Sequence, residues 1–228
     1  MAPPFLTPTL EGHGRRLREA VERGGCSILV TGEPGVGKSV LVDHWLSQVA
    51  PAAWCALDLP ELGQRPPLVQ VADHLGATGE DLAAACRAAL GGRPLMVRVD
   101  PADRVVEPVW RQLIELREAL PSLHYLFVAR LSVKGQMEPR WMRPLVADIG
   151  CRVHLLAFDP GETRAYCEQR LAERGDGVRL TEEGLAALYG RALGYVPLID
   201  QILEESVVEA GRRGSREVDG SDVRIAID

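Results

Sequence analysis

One glycine-rich stretch of the chain has the residue types and the spacing that can hold a phosphate group. Gly32, Gly37, Lys38 and Ser39 fit the pattern G-x-x-x-x-G-K-[ST]. In this pattern the glycines let backbone N–H groups wrap around an anion, the lysine neutralises the outer phosphates, and the serine hydroxyl suits Mg²⁺. The motif therefore predicts binding of ATP or ADP with Mg²⁺. The predicted binding residues are Gly32, Glu33, Pro34, Gly35, Val36, Gly37, Lys38, Ser39 and Val40.

The residues on both sides of this stretch predict the elements that must position it. The apolar run from Ser27 to Thr31 predicts a buried strand, and a helix is predicted from about Gly37 to Val49, ended by Pro51. Such a helix would point its positive end at the phosphates. A chance glycine-rich turn with a surface lysine is the competing interpretation, and the strand and helix on either side favour the phosphate-binding loop.

The rest of the first two thirds of the chain alternates between strand and helix patterns. Four further strands are predicted at 53–58, 94–100, 124–129 and 151–158. Helices are predicted at 10–23, 80–90 and 105–120, with shorter helices after residue 59 and within 132–150. This alternation favours an α/β fold with a five-stranded parallel sheet that helices cover on both faces.

The pattern changes after Asp159-Pro160. Helical periodicity continues to the end of the chain without a strand signal between the helices, at 162–174, 181–193, 197–212 and 221–227. We therefore predict two domains. Residues 1–159 form the nucleotide-binding α/β core, and residues 160–228 form a small all-helical lid domain.

Composition narrows the class of partner. The 228 residues carry a formal net charge of −6, which disfavours general binding of polyanions, and the basic cluster at 15–18 is better explained as a solvated helix face. The five scattered cysteines indicate reduced thiols. The chain has no apolar run of membrane-spanning length and no apolar signal core at its start, so we expect a cytoplasmic protein without direct membrane insertion.

From about Leu10 onward the chain resembles the AAA+ P-loop ATPases. Within them it is closest to the secretion-pathway A-component ATPases and the ATP-binding subunits of transposition systems. The segments that carry the resemblance are VTGEPGVGKS at 30–39, LMVRVDPADRV at 95–105, LHYLFVARLSVKGQ at 123–136, and lid segments at 158–175 and 188–210. The resemblance implies a protein partner in a larger assembly. It also allows a homo-oligomer, and it allows contact with DNA, which the acidic charge disfavours.

The resemblance also assigns roles in hydrolysis. Asp100 would orient Mg²⁺ together with Ser39, and a second acid that positions the attacking water normally follows at once. Here the next residue is Pro101, which has no carboxylate, and Asp103 is the candidate substitute.

Three further positions depart from the pattern that the resemblance implies. Leu198 stands where the lid normally carries an arginine, and Arg130 falls near the polar position of the sensor strand. Asp148 stands where an arginine that reaches a neighbouring subunit is expected. We therefore expect nucleotide binding with weak or absent hydrolysis, in an assembly or regulatory component. The alternatives are an active ATPase motor or loader for secretion or DNA transposition and, as a third reading, a small-molecule kinase.

Overall fold

The computed structural model describes residues 4–50, 54–57 and 65–227. Contacts divide the chain into two compact units. The first contains residues 1–32 and 38–155, and the second contains residues 33–37 and 156–228. Across the described ranges, no helix combines the length and the apolar character needed to cross a lipid bilayer.

The first unit contains the predicted five-stranded parallel sheet, which is confirmed. Its strands lie in the order β2-β3-β4-β1-β5, and every neighbouring pair is parallel. All six residues of β1 are buried, as expected for a parallel strand that is covered on both faces. The strands are β1 Ser27–Gly32, β2 Trp54–Ala56, β3 Leu95–Val99, β4 Leu123–Ala129 and β5 Ile149–Leu155.

Seven helices of the described chain accompany this sheet. A cluster of buried apolar residues includes Trp110, Tyr125 and Phe127, and the rings of Trp110 and Phe127 lie 5.3 Å apart. Residues 132–150 contain two short helices and a 3-10 turn, because Pro139 and Pro144 fit only the first turns of helices. The helices are α1 Pro8–Arg23, α2 Lys38–Leu46, α3 Pro67–Leu75, α4 Leu82–Leu90, α5 Glu107–Ala119, α6 Val133–Gln136 and α7 Arg143–Asp148.

Several predicted boundaries in the first unit differ from the structure, and the strand predicted at 151–158 is observed as Ile149–Leu155. Helix α2 ends at Leu46, three residues before the predicted end at Val49. The strand predicted at 53–58 is observed only as Trp54–Ala56, and both ends of the predicted range lie outside the described residues.

The second unit is mainly helical, and it differs from the all-helical prediction in one detail. Two strands, β6 Arg179–Leu180 and β7 Glu217–Val218, pair in parallel between the helices. Two residues are too few for the alternation that marks a strand in a sequence. The helices are α8 Pro160–Arg174, α9 Glu182–Ala192, α10 Val196–Arg212 and α11 Gly220–Ile227.

Helix α8 begins with a reciprocal capping box, which makes a testable prediction. The Glu162 N–H donates to Asp159 Oδ1 at 2.8 Å, and the Asp159 N–H donates to Glu162 Oε2 at 3.1 Å. We expect Asp159→Ala to lower the free energy of unfolding by about 1 kcal/mol, the usual cost of losing an N-cap. Urea denaturation measures this, with the exposed Glu168→Ala on the same helix as the control. An equal loss in both variants would contradict the capping role.

Candidate phosphate-binding site

The predicted phosphate loop joins the end of a buried strand to the start of a helix. Strand β1 ends at Gly32 and α2 begins at Lys38, so the motif lies in the strand–loop–helix context that it requires. Gly35 and Gly37 have φ of +85° and +78°, in the left-handed region that glycine adopts without strain. The first N–H groups of α2 have no intrahelical partners and carry the positive end of the helix dipole. This arrangement can hold an anion.

The Lys38 side chain is hydrogen-bonded to the end of the preceding strand. Its Nζ donates a hydrogen bond to the Gly32 carbonyl oxygen at 2.9 Å, which holds the ammonium group at the end of β1. Glu33, Pro34 and Ser39 are exposed, whereas Val36 is buried. The side chains of Glu33 and Ser39 are therefore accessible to solvent.

The tip of the loop packs against the start of α10 within the second unit. A Cβ atom at Gly35 would lie 3.5 Å from Pro197 Cδ and 3.7 Å from Tyr195 Cδ1. Leu198, at the position where the resemblance implies an arginine, is 43% exposed and brings no charge to this end of the helix.

Asp100 directly follows β3, at the carboxyl edge of the sheet. Val99 pairs with Phe127 on β4, which pairs with Leu29 on β1, so Asp100 lies two strand spacings, about 10 Å, to the side of β1. Its Oδ2 accepts a hydrogen bond from Arg98 Nη2 at 2.5 Å. The acid predicted to orient Mg²⁺ is thus paired with an arginine of its own strand.

Arg98 is a site residue that the sequence reasoning missed. Leu95, Val97 and Val99 belong to the apolar cluster, so alternation along β3 places Arg98 on the opposite face. There its guanidinium also pairs with Asp43 of α2. Burial opposes the charge of Arg98, but the hydrogen bonds to the two carboxylates outweigh it and raise the pKa. A lone arginine in an apolar strand that ends in aspartate was the available signal.

Both the carboxylate and the backbone carbonyl of Asp103 accept hydrogen bonds within the protein. Its Oδ1 accepts a hydrogen bond from the Arg130 backbone N–H at 2.9 Å, and its carbonyl oxygen accepts one from Gln136 Nε2 at 2.8 Å. The carboxylate therefore fixes the backbone just after β4. Its assignment to water positioning stays a prediction.

Asp148 belongs to a buried polar cluster at the opposite, amino-terminal edge of the sheet. We call Ser27, Arg117, His124 and Asp148 the Asp148 cluster. The carboxylate accepts hydrogen bonds from Ser27 Oγ at 2.5 Å, His124 Nδ1 at 2.9 Å and Arg117 Nη2 at 3.3 Å. Because His124 Nε2 accepts the Gly25 N–H at 3.2 Å, the ring proton lies on Nδ1. These bonds give Asp148 a role within its own chain.

Comparisons with known proteins bear on the fold. No protein-family model matches the chain, and no curated protein matches its sequence. Solved structures do resemble it in fold. The Aeropyrum pernix ORC1 protein in complex with DNA is 18% identical, with a TM-score of 0.67, over 98% of this chain and 65% of that one.

Two further structures give the same result. The Thermotoga maritima RuvB Holliday junction branch migration motor is 15% identical with a TM-score of 0.65, over 97% of this chain and 68% of that one. The Aeropyrum pernix ORC2 protein, solved as ADPNP-ADP complexes, is 18% identical with a TM-score of 0.64, over 100% of this chain and 69% of that one. This chain spans about two thirds of each of these proteins. The likeness establishes the fold: a P-loop α/β domain with a helical region.

Proposed function

We propose that this protein is a cytoplasmic AAA+-type component of a larger assembly that binds ATP or ADP through residues 32–40 and hydrolyses ATP weakly or not at all. The observation that carries this proposal is the contrast between two parts of the site. The strand–loop–helix with Lys38 is complete, whereas the Asp100 carboxylate is bound by Arg98.

The loop geometry supports the binding half of the proposal. Left-handed glycines, the N-terminal N–H groups of α2 and the Lys38 ammonium group all favour a polyphosphate. The ORC2 protein that shares this fold is solved as complexes with ADPNP and ADP, and we extend nucleotide binding to this chain by proposal.

The carboxylates and arginines support the hydrolysis half. Phosphoryl transfer needs an acid that orients the metal and a group that positions water. Pro101 supplies no carboxylate, and Asp103 is hydrogen-bonded to the backbone after β4. Leu198 cannot contact a γ-phosphate as an arginine would, and such an arginine is worth about 10³-fold or more in rate.

The role in an assembly rests on the resemblance and on the fold. We propose a protein partner, and we favour the secretion and transposition branch because of the segments that the sequence shares with it. A homo-oligomer fits the fold class. The net charge of −6 favours a protein partner over DNA.

Calorimetric titration and a phosphate-release assay on one preparation test this proposal. We expect ATP and ADP to bind with micromolar affinity, while phosphate release stays at the background of a Lys38→Ala control. Turnover that Lys38→Ala abolishes would favour the active motor or loader. Transfer of phosphate to a metabolite would favour the kinase, and the absence of nucleotide binding would overturn the proposal.

A further inference from the structure

The predicted Mg²⁺ ligands do not fit a metal in this structure. Nucleotide-bound Mg²⁺ relies on one or two free carboxylates besides the phosphates. Asp100, the acid assigned to this role with Ser39, is 15% exposed and accepts a 2.5 Å hydrogen bond from the Arg98 guanidinium. Among the described residues, no group of three His, Cys, Asp or Glu side chains comes together to hold a metal.

Arg98 is held on two sides. Its other terminal nitrogen pairs with Asp43, and its side chain is only 12% exposed. If Asp100 turned away to ligate a metal, this buried cation would keep only a half-exposed partner, which is costly for a desolvated charge. The pairing of Arg98 with Asp100 is therefore the arrangement that this chain stabilises.

The position of Asp43 connects Arg98 to the helix that carries Lys38 and Ser39. Asp43 follows Ser39 by four residues on α2, so the two side chains lie on the same face, one turn apart. Arg98 therefore contacts the face of α2 that carries the serine of the motif. All of these residues belong to the first unit.

The Arg98 guanidinium offsets negative charge in this region without a divalent cation. It lies between Asp43 and Asp100 and pairs with both carboxylates. Without Arg98, both acids would be left without this cationic partner beside the helix that carries Lys38 and Ser39. A divalent ion would then be needed to offset them.

We propose that Arg98 pairs with Asp100 in place of Mg²⁺, so that this protein binds ATP and ADP without a divalent cation. The inference rests on the proposed nucleotide binding and specifies its chemistry. It also accounts for weak hydrolysis, because the acid that would place a catalytic metal is committed to an arginine.

Titration of ADP and ATP in EDTA and in excess Mg²⁺ tests this inference. For the natural protein we expect the two dissociation constants to agree within about threefold. In Arg98→Met, which keeps the length of the side chain and removes the charge, we expect binding in EDTA to weaken at least tenfold and added Mg²⁺ to restore part of it. Arg23→Met is the matched control, since it removes one charge from an exposed ion pair on α1.

The outcomes separate this inference from the proposed function. Binding of the natural protein that requires Mg²⁺ would overturn the role of Arg98 and leave nucleotide binding intact. No binding under either condition would overturn nucleotide binding itself. The measurement on the natural protein decides the question even if Arg98→Met fails to fold, and Arg98→Lys, which retains a charge, should keep binding in EDTA stronger than Arg98→Met.

Discussion

Replacement of Lys38 by alanine is expected to weaken ADP binding at least thirtyfold. Hydrogen bonds to charged groups contribute about 1.5–3 kcal/mol, and about 2 kcal/mol corresponds to a thirtyfold change in affinity. The effect should be local, because the side chain is only half buried and its hydrogen bond in the protein is to the Gly32 carbonyl. Fluorescence titration with a labelled ADP measures the loss.

The chain offers a close control for this variant. Lys38 and Lys134 are the only two lysines in the sequence, and Lys134 lies exposed on α6. Lys134→Ala removes the same charge and should leave ADP affinity unchanged. If Lys38→Ala bound ADP as well as the natural protein, the phosphate would have to be held elsewhere.

Replacement of Asp148 by alanine is expected to lower the free energy of unfolding by about 3–5 kcal/mol. The buried Ser27 and His124 donors would each lose an acceptor, at about 1–3 kcal/mol for an unsatisfied buried group, and the partly exposed Arg117 would add less. Here the loss would leave Arg117, His124 and the Ser27 hydroxyl without their shared acceptor. Urea denaturation at neutral pH measures it. Asp73→Ala, which removes a 61% exposed acid paired with Arg65, should cost about 1 kcal/mol or less.

The contribution of Asp148 should also depend on pH. Burial alone raises the pKa of its carboxyl group, but the hydrogen bonds from Ser27 and His124 and the nearby Arg117 outweigh it, so the pKa is lowered. A group with a lowered pKa stabilises the fold fully above its unfolded value of about 3.9, and this contribution is lost as the pH falls through the folded value. The difference between the natural protein and Asp148→Ala should therefore shrink below about pH 4. A difference that stayed constant down to pH 3 would contradict this account.

The loop could be predicted because its chemistry is local. Spacing within eight residues specifies where the glycines, the lysine and the serine must stand, and the flanking apolar run and helix pattern confirm the context. The parallel sheet was also predictable from alternating elements. The position of β4 between β1 and β3 was not, since strand order depends on contacts between distant segments.

The partners of the acids could not be predicted for the same reason. The pair of Arg98 with Asp100 is the exception, since alternation along β3 places residues two apart on one face. Only the packing of β3 on α2 brings Asp43 to Arg98, and only the path after β4 brings Arg130 to Asp103. By the resemblance, Asp148 stands in place of an arginine that would reach a neighbouring subunit. Its true neighbours come from β1, β4 and α5, which no short-range pattern connects.

Strand β1 joins the Asp148 cluster at Ser27 to the phosphate loop at Gly32. Five steps along a strand cover about 17 Å, which exceeds the 7–10 Å beyond which energetic effects usually become additive. Substitutions at one end of β1 therefore act on the fold and those at the other end act on the ligand. Substitutions near Gly32 can therefore change nucleotide preference without lowering the free energy of unfolding. Substitutions near Ser27 can raise the free energy of unfolding without disturbing ligand recognition.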